Sequence, residues 1–506
     1  LSSATPLNPV MVIPNPSPEA NDQFGIGVDL DGGKLVVGAP GDNASDGAAY
    51  LFDLSGPVPT LLHTLPNVLA GSSGAGKADR FGQTVAISGD WVVVGLPQWD
   101  WTSQNTNNAG RVDVFNLGSA TPMTAHAQFF VYSSTYPDRF GEVLALDGDI
   151  LAIGGWINST QRGHVWVYDL GTVPAGTVGL GGSPITINPP SGAAYDQFGR
   201  AVAVSGRQVL VGSPGRDPGA PAVNGAGQAF LYDLDAPVPA MPVMTFDPPN
   251  PQLDGNFGFD VALNGNRAMI GAYGDDTGAD RAGAAWLYDL NHPTDPALPT
   301  GTYLNPTPAD DDFFGSSLVI TDDYLIAGVG QDDLAGTNMG VVHIYTAPPA
   351  LSIVQGDQIV VLDATGTLEV AVTGGAEPVA LQWYAGPLGD TSTPVSGGTG
   401  PSISVGPFPA GTYPYWVRAT NLGGITTSAM TVTVPPLPAI TPNPAPVANA
   451  GSLFTYSLTA SEGPVTFELV DAPGWIEGFD PDTALLYGTP GLGDEGSVTV
   501  DFLLTN

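Results

Sequence analysis

The sequence predicts an all-β protein: a six-bladed β-propeller over residues 1–347, then two smaller β-sandwich modules over 350–435 and 439–506. Three observations predict it. A Phe-Gly pair recurs six times at near-constant spacing, two further glycines keep register with each Phe, and each unit reads as four short strands.

The Phe positions are Phe24, Phe81, Phe140, Phe198, Phe257 and Phe314. Fourteen residues after each comes a glycine: Gly38, Gly95, Gly154, Gly212, Gly271 and Gly328. A second glycine precedes an aromatic by five residues: Gly47/Phe52, Gly110/Phe115, Gly163/Tyr168, Gly227/Tyr232, Gly283/Tyr288 and Gly340/Tyr345. Three markers held in register six times define a repeat.

In the second unit the strands fall at about Gly82–Ser88, Trp91–Leu96, Arg111–Leu117 and Ala125–Ser133. The first alternates in polarity, and the second is nearly all apolar, as a strand covered on both faces should be. Two-residue turns such as Asp-Gly, Ser-Gly and Asn-Gly join them as hairpins. The sixth unit shows only three strands before "TAPPA". Residues 9–25 match 242–258, with Met11 and Met244 both 13 residues before their Phe. The N-terminal strand is therefore expected to complete the last blade and close the ring, which removes exposed edges.

A unit of Phe-Gly, an apolar hairpin and Gly-Ala-Pro (Gly38, Ala39, Pro40) resembles the FG-GAP repeat of integrin α-subunit propellers, related to repeats of many bacterial extracellular proteins. The resemblance covers about residues 9–346. It implies a surface or secreted binding protein, and in the family many units carry a calcium loop between strands one and two. Here those turns have shrunk to forms such as "ISGDW" and "VSGRQ", too short to wrap a cation that needs six to eight oxygens. The family's calcium sites are not carried over, and no cofactor is required.

The loops between strands two and three vary instead, with glycine-to-glycine distances of 9, 15, 9, 15, 12 and 12. Variation on one face of a repeat scaffold marks it as the expected binding face. Aspartates gather there: Asp42 and Asp46, then Asp275, Asp276 and Asp280, then Asp332 and Asp333. Two readings stand. They are turn formers whose carboxylates bond nearby amides, or one or two of these loops hold Ca2+. Asp22, Asp79, Asp138, Asp196 and Asp312, each two residues before its Phe, read as structural devices.

The second unit's loop, "QWDWTSQNTNNAG", carries Trp99, Asp100 and Trp101, and Trp156 begins the next unit's loop. Indoles beside Asn and Gln suit stacking on a sugar or gripping a partner. The alternative is that they fold down as a plug.

Composition narrows the partners. Twelve basic residues face 49 acidic ones, for a formal charge of −37. Such a surface repels nucleic acid and anionic membranes, so neither is an expected partner. No stretch approaches the roughly 20 apolar residues of a membrane span. There is no cysteine, hence no disulfide or thiolate site. "GSSGAGKA" (Gly71–Ala78) lacks the final Ser/Thr and the following helix of a phosphate loop. The histidines lack zinc spacing, and no nucleophile elbow occurs.

Residues 351–434 resemble an immunoglobulin-type sandwich, with Trp383 in "LQWY" and Tyr413 at the tyrosine corner. Val370 and Tyr415 stand where that family pairs cysteines. Residues 445–506 resemble cadherin-like modules of bacterial surface proteins and stop before the family's last strand. A chain opening on Leu1 suggests a removed export signal. The expectation is a non-enzymatic secreted or cell-surface protein binding a protein or glycan through the loop face. The alternatives are a structural protomer that assembles with copies of itself, and an enzyme acting on glycans or phosphodiesters.

Overall fold

The computed structural model describes residues 12–505 except 68–78, 101–108, 132–138, 156–161, 191–194, 219–222, 292–294, 333–339, 361–362, 437–438, 441–446, 462–464, 495 and 498. The described residues are strands and turns, apart from a single helical turn at Asp42–Ser45. The chain divides into two compact units, Leu1–Ala347 and Pro348–Asn506.

In the first unit each sequence repeat forms one antiparallel sheet whose strands pair in chain order, and the second sheet gains a fifth, parallel strand, Thr177–Val178, from the third repeat. The second repeat gives Thr84–Ser88, Trp91–Leu96, Arg111–Asn116 and Ala127–Phe129, within a few residues of the sequence expectation. The second strand, Trp91–Leu96, is buried along its whole length, because sheets cover both its faces. The sixth sheet has three strands, Phe314–Ile320, Tyr324–Val329 and Val341–Thr346. The expected fourth strand from 9–25 forms no strand over its described part, where Ile13 packs on the first sheet; residues 1–11 lie outside the described residues.

The repeat's invariant residues prove to be junction parts. The residue before each Phe has positive φ (Gln23, Arg80, Arg139, Gln197, Asn256 and Phe313), and so has the glycine after it. This double reversal pushes the Phe into the gap between its own sheet and the preceding one. Phe81, Phe140, Phe198, Phe257 and Phe314 are fully buried. Each donates its amide to the preceding repeat: Phe81 to Asp46 O at 3.1 Å, and Phe314 to Ala282 O at 2.9 Å. A Cβ at Gly38 would collide with the Gly82 carbonyl, its carbon only 2.8 Å away, and Gly95, Gly154, Gly212 and Gly271 face the same conflict with the next repeat. Only glycine permits that approach.

A third contact completes the junction. The seventh residue after a Phe accepts the amide of the glycine in the next repeat's first turn. Asp31 takes Gly89 N at 2.6 Å, Ser88 takes Gly148 N at 2.9 Å, Asp147 takes Gly206 N at 2.6 Å and Ser205 takes Gly265 N at 2.9 Å. In the fifth junction Asn264 Nδ2 donates to Asp322 Oδ1 at 3.2 Å.

In the second unit two sheets share one core from 351 to 434, with Trp383, Val370, Val417 and Tyr415 buried inside it. Tyr413 Oη donates to Pro409 O at 2.9 Å. The remaining residues form a three-stranded and a two-stranded sheet. No described helix is long and apolar enough to cross a membrane.

Candidate functional site

Burial divides the candidate acids into two populations. Asp42, Asp275 and Asp332 are buried and engaged with neighbouring side chains. Asp42 accepts Asn43 N at 2.7 Å and the Tyr50 hydroxyl. Asp275 accepts Gln252 Nε2 at 3.1 Å and Thr277 N at 2.8 Å. Asp332 shares the Asn305 amide with Asp312, at 3.5 and 2.7 Å. Of the aspartates before the Phe, Asp22, Asp79, Asp196 and Asp312 are buried too, while Asp138 lies outside the described residues: Asp22 holds Asn15, Asp79 faces Asn67, and Asp196 pairs with Arg216 at 3.3 Å. Among the described residues, no group of three or more acids or histidines is arranged to hold a metal ion.

Trp99 is not the exposed indole its loop suggested. It is 3% exposed, tilts against Phe130 at 5.0 Å between ring centres, and lies beneath the Arg111 guanidinium at 5.3 Å. Gly110 N bonds to Trp99 O at 3.1 Å, which ties the Trp99 backbone to the residue before Arg111. The buried guanidinium gains a π face there. Asp100 is buried beside it at 6%. Trp101, Trp156 and Asp333 lie outside the described residues, as do Gly71–Ala78.

The exposed population gathers in the fifth repeat. Asp276 and Asp280, both exposed, line an open cavity of about 580 Å³ with Asp254, Asn256, Tyr273 and Arg281. Arg281 is the organiser. Its amide donates to Asp276 Oδ1 at 3.0 Å, and its guanidinium pairs with Asp311, lies 4.0 Å from Asp280 and rests on Phe313 at 5.7 Å. Phe313 in turn holds Tyr273 edge-on at 5.4 Å. The result is a shallow acidic cleft with an aromatic wall and one tethered cation. Such a cleft suits hydrogen bonding to hydroxyls or to a basic group, and it presents no nucleophile paired with a base. Asp46, half-exposed, belongs to another loop.

Sequence reasoning missed Tyr273, Asp254 and Arg281, because an aromatic and a lone Arg in a Gly-rich loop carry no periodic signal. It also missed the Asn locks. "NPSPEANDQFG" and "NPTPADDDFFG" place Asn15 and Asn305 seven residues before the Asp each one holds, and that shared pattern was legible.

One carboxyl stands apart. Asp260 accepts Leu318 N of the next repeat at 2.6 Å. Desolvation outweighs its amide bonds and nearby Arg200, and pushes its carboxyl up from 3.8 to about 7. A folded-state value raised above the unfolded one means that folding binds a proton between them. Stability from this group is therefore highest below 3.8 and declines as pH rises to about 7. Asp260→Asn, which keeps an acceptor for Leu318, is expected to stabilise the protein at pH 8 and to lose that advantage at pH 4. Because Asp260 retains part of its solvent contact, the gain is about 2 kcal/mol rather than the full linkage value. Urea midpoints of both proteins across this pH range measure it.

No curated protein matches the chain significantly. Among solved structures it is similar to the extracellular domain of a hybrid two-component system from B. thetaiotaomicron, at 10% identity and TM-score 0.32, covering 83% of this chain and 56% of that one. It thus spans little more than half of that domain. A member of the duf4221 family from Bacteroides vulgatus gives 8% identity and TM-score 0.35 over 64% of this chain and 95% of that one. Scores this low fix neither fold nor function. The repeat itself is matched directly: segments 16–52, 70–115, 186–232 and 252–288 match the FG-GAP repeat.

Proposed function

We propose that this chain is a non-catalytic extracellular or cell-surface protein that works by recognition through its loops. In this reading the six sheets are blades of a β-propeller, and residues 350–435 and 439–506 are immunoglobulin-like modules. The observation that carries it is the sorting of the acids. The carboxylates of the junctions and inner loops are consumed in side-chain locks, while Asp276 and Asp280 are left exposed in a cleft walled by Tyr273. A hydroxyl-rich glycan or a basic protein segment fits that cleft; the −37 charge disfavours a nucleic acid.

Asp276→Asn/Asp280→Asn is expected to weaken retention on a panel of neutral oligosaccharides and Lys-rich peptides at least tenfold, about 1.4 kcal/mol, with no change in thermal unfolding. Wild-type protein that binds none of the panel, or a variant that binds as well, removes the support. A second reading, a protomer of an extracellular assembly, is favoured by a different observation: among the described residues, the two outer repeats each leave half a junction uncovered.

A further inference from the structure

Five junctions join six repeats, and they share their parts: a Phe-Gly seated against two glycines of the preceding repeat, and a side chain bonded to the next repeat's first turn. The two ends of the array carry the unmatched halves. At the first repeat Phe24 is only half-buried where its five counterparts are fully buried. Among the described residues a Cβ at Gly25 would meet nothing, where its five counterparts meet the preceding repeat, and Ile26, Val28 and Leu30 are 54%, 59% and 57% exposed. At the sixth repeat Gly328 faces only Ser317 of its own sheet, and Gly340 only its own loop. Ser317, Gly328, Gly330, Gly340 and Val342 line an open cavity of about 440 Å³ where the other five repeats receive a Phe-Gly. Val342 and Ile344 beside it are 62% and 56% exposed. Thr321, at the seventh position after its Phe, turns back to Tyr324 at 2.9 Å instead of reaching a next repeat.

We propose that the sixth repeat's glycine notch is an assembly site for a second copy of this chain, filled by that copy's Phe24-Gly25. The occupant is specified by continuity with the five filled junctions, whose geometry the notch repeats; among the described residues of one chain a Cβ at Gly25 meets nothing and one at Gly328 meets only Ser317, so the two halves are not joined to each other. Thr321 then takes Gly32 N of the second copy, as Asp31 takes Gly89. The contact is head-to-tail, so it propagates into a ring or a filament. Two surfaces of a chain with charge −37 repel, so association strengthens as salt screens them.

This inference rests on the second reading above, and its failure leaves the loop-face reading intact. The test is sedimentation of the full chain from about 1 to 200 µM, at low and at about 0.5 M salt. The expected result is a mass that rises with concentration and more steeply in salt. Gly328→Ala should abolish that rise, since its Cβ would strike the incoming carbonyl, while leaving unfolding of the single chain unchanged. Val28→Asp should weaken association at least tenfold from the other side.

Because the chain has no cysteine, two engineered thiols report the partner without ambiguity. Ile26→Cys and Val342→Cys occupy the positions of Gln83 and Ala49, which flank the Gly82–Ala48 contact of the first junction. A mixture of the two single variants should oxidise to a mixed dimer, and a chain carrying both should give a ladder. An intrachain disulfide in a monomer would overturn the proposal by showing that the chain's own first repeat fills the notch. A monomer at every concentration and salt would overturn it as well.

Discussion

Gly38→Ala unfolds the first junction, while the same change at Gly328 leaves the isolated chain's stability nearly untouched. The two glycines occupy one position in the repeat, fourteen residues after the Phe, so propensity and strand context are matched. What differs is the neighbour. A Cβ on Gly38 lands on the Gly82 carbonyl group, 2.8 Å from its carbon and 3.1 Å from the Gly82 Cα. All of these are backbone atoms of the turn that leads into Thr84–Ser88 and is tied to its own sheet by Gly82 N to Gly95 O at 3.2 Å, so no side chain can rotate aside and the sheets must separate. The expected loss is about 3 kcal/mol or more, at the upper end of overpacking costs. At Gly328 the nearest atom is the Ser317 Cβ at 3.3 Å, and a shift of a few tenths of an ångström costs less than about 1 kcal/mol. Urea midpoints of the two variants at low protein concentration measure the contrast. A small loss at Gly38 would mean that the junctions are looser than their geometry.

The second large effect belongs to Arg111. Its guanidinium and the Asp113 carboxylate are both wholly buried and joined by two parallel bonds of 2.8 Å. Gln128 adds a bond to Asp113 at 3.2 Å and Asn67 one to Arg111 at 3.2 Å. Desolvation still raises the Asp113 carboxyl above its ordinary range despite the paired cation. Arg111→Met keeps most of the volume but strands that carboxylate, and is expected to cost about 3–5 kcal/mol at pH 7. With Arg111 gone the carboxyl rises further, so the deficit should shrink as pH falls toward 4, where Asp113 enters protonated. Arg111→Met/Asp113→Leu should recover most of the loss, since a well-packed apolar pair replaces an ion pair at little net cost. A double variant as unstable as the single one would place the effect in lost packing against Trp99 instead.

Much of the architecture was legible because it is periodic. Phe24 to Phe314 and the two glycine series are sequence features with one structural cause, the inter-repeat junction, and a cause repeated five times leaves a countable trace. The third junction contact was harder to see. Asp31, Ser88, Asp147, Ser205 and Asn264 share a position but not a residue type, since any small polar group reaches the next turn. At Trp99 the alternative reading, an indole folded inward, is the one the structure takes. A tryptophan among Asn and Gln looks solvated in one dimension, and only the fold shows that Arg111, twelve residues on, needs its ring. The cleft around Arg281 was half visible. Asp276 and Asp280 advertised it, but its wall came from Tyr273 and Phe313 of two different repeats.

The junction has a consequence for how such a chain changes length. Every repeat presents the same acceptor and the same insert, so excising one whole unit, or duplicating one, joins surfaces that already fit. Gain or loss in steps of about 58 residues asks for no compensating substitutions in the neighbours, whereas a deletion of half a unit leaves an unmatched strand and a filled notch with nothing behind it. The array is thus built from interchangeable parts, and its repeat number is an easily adjusted trait rather than a fixed property of the fold.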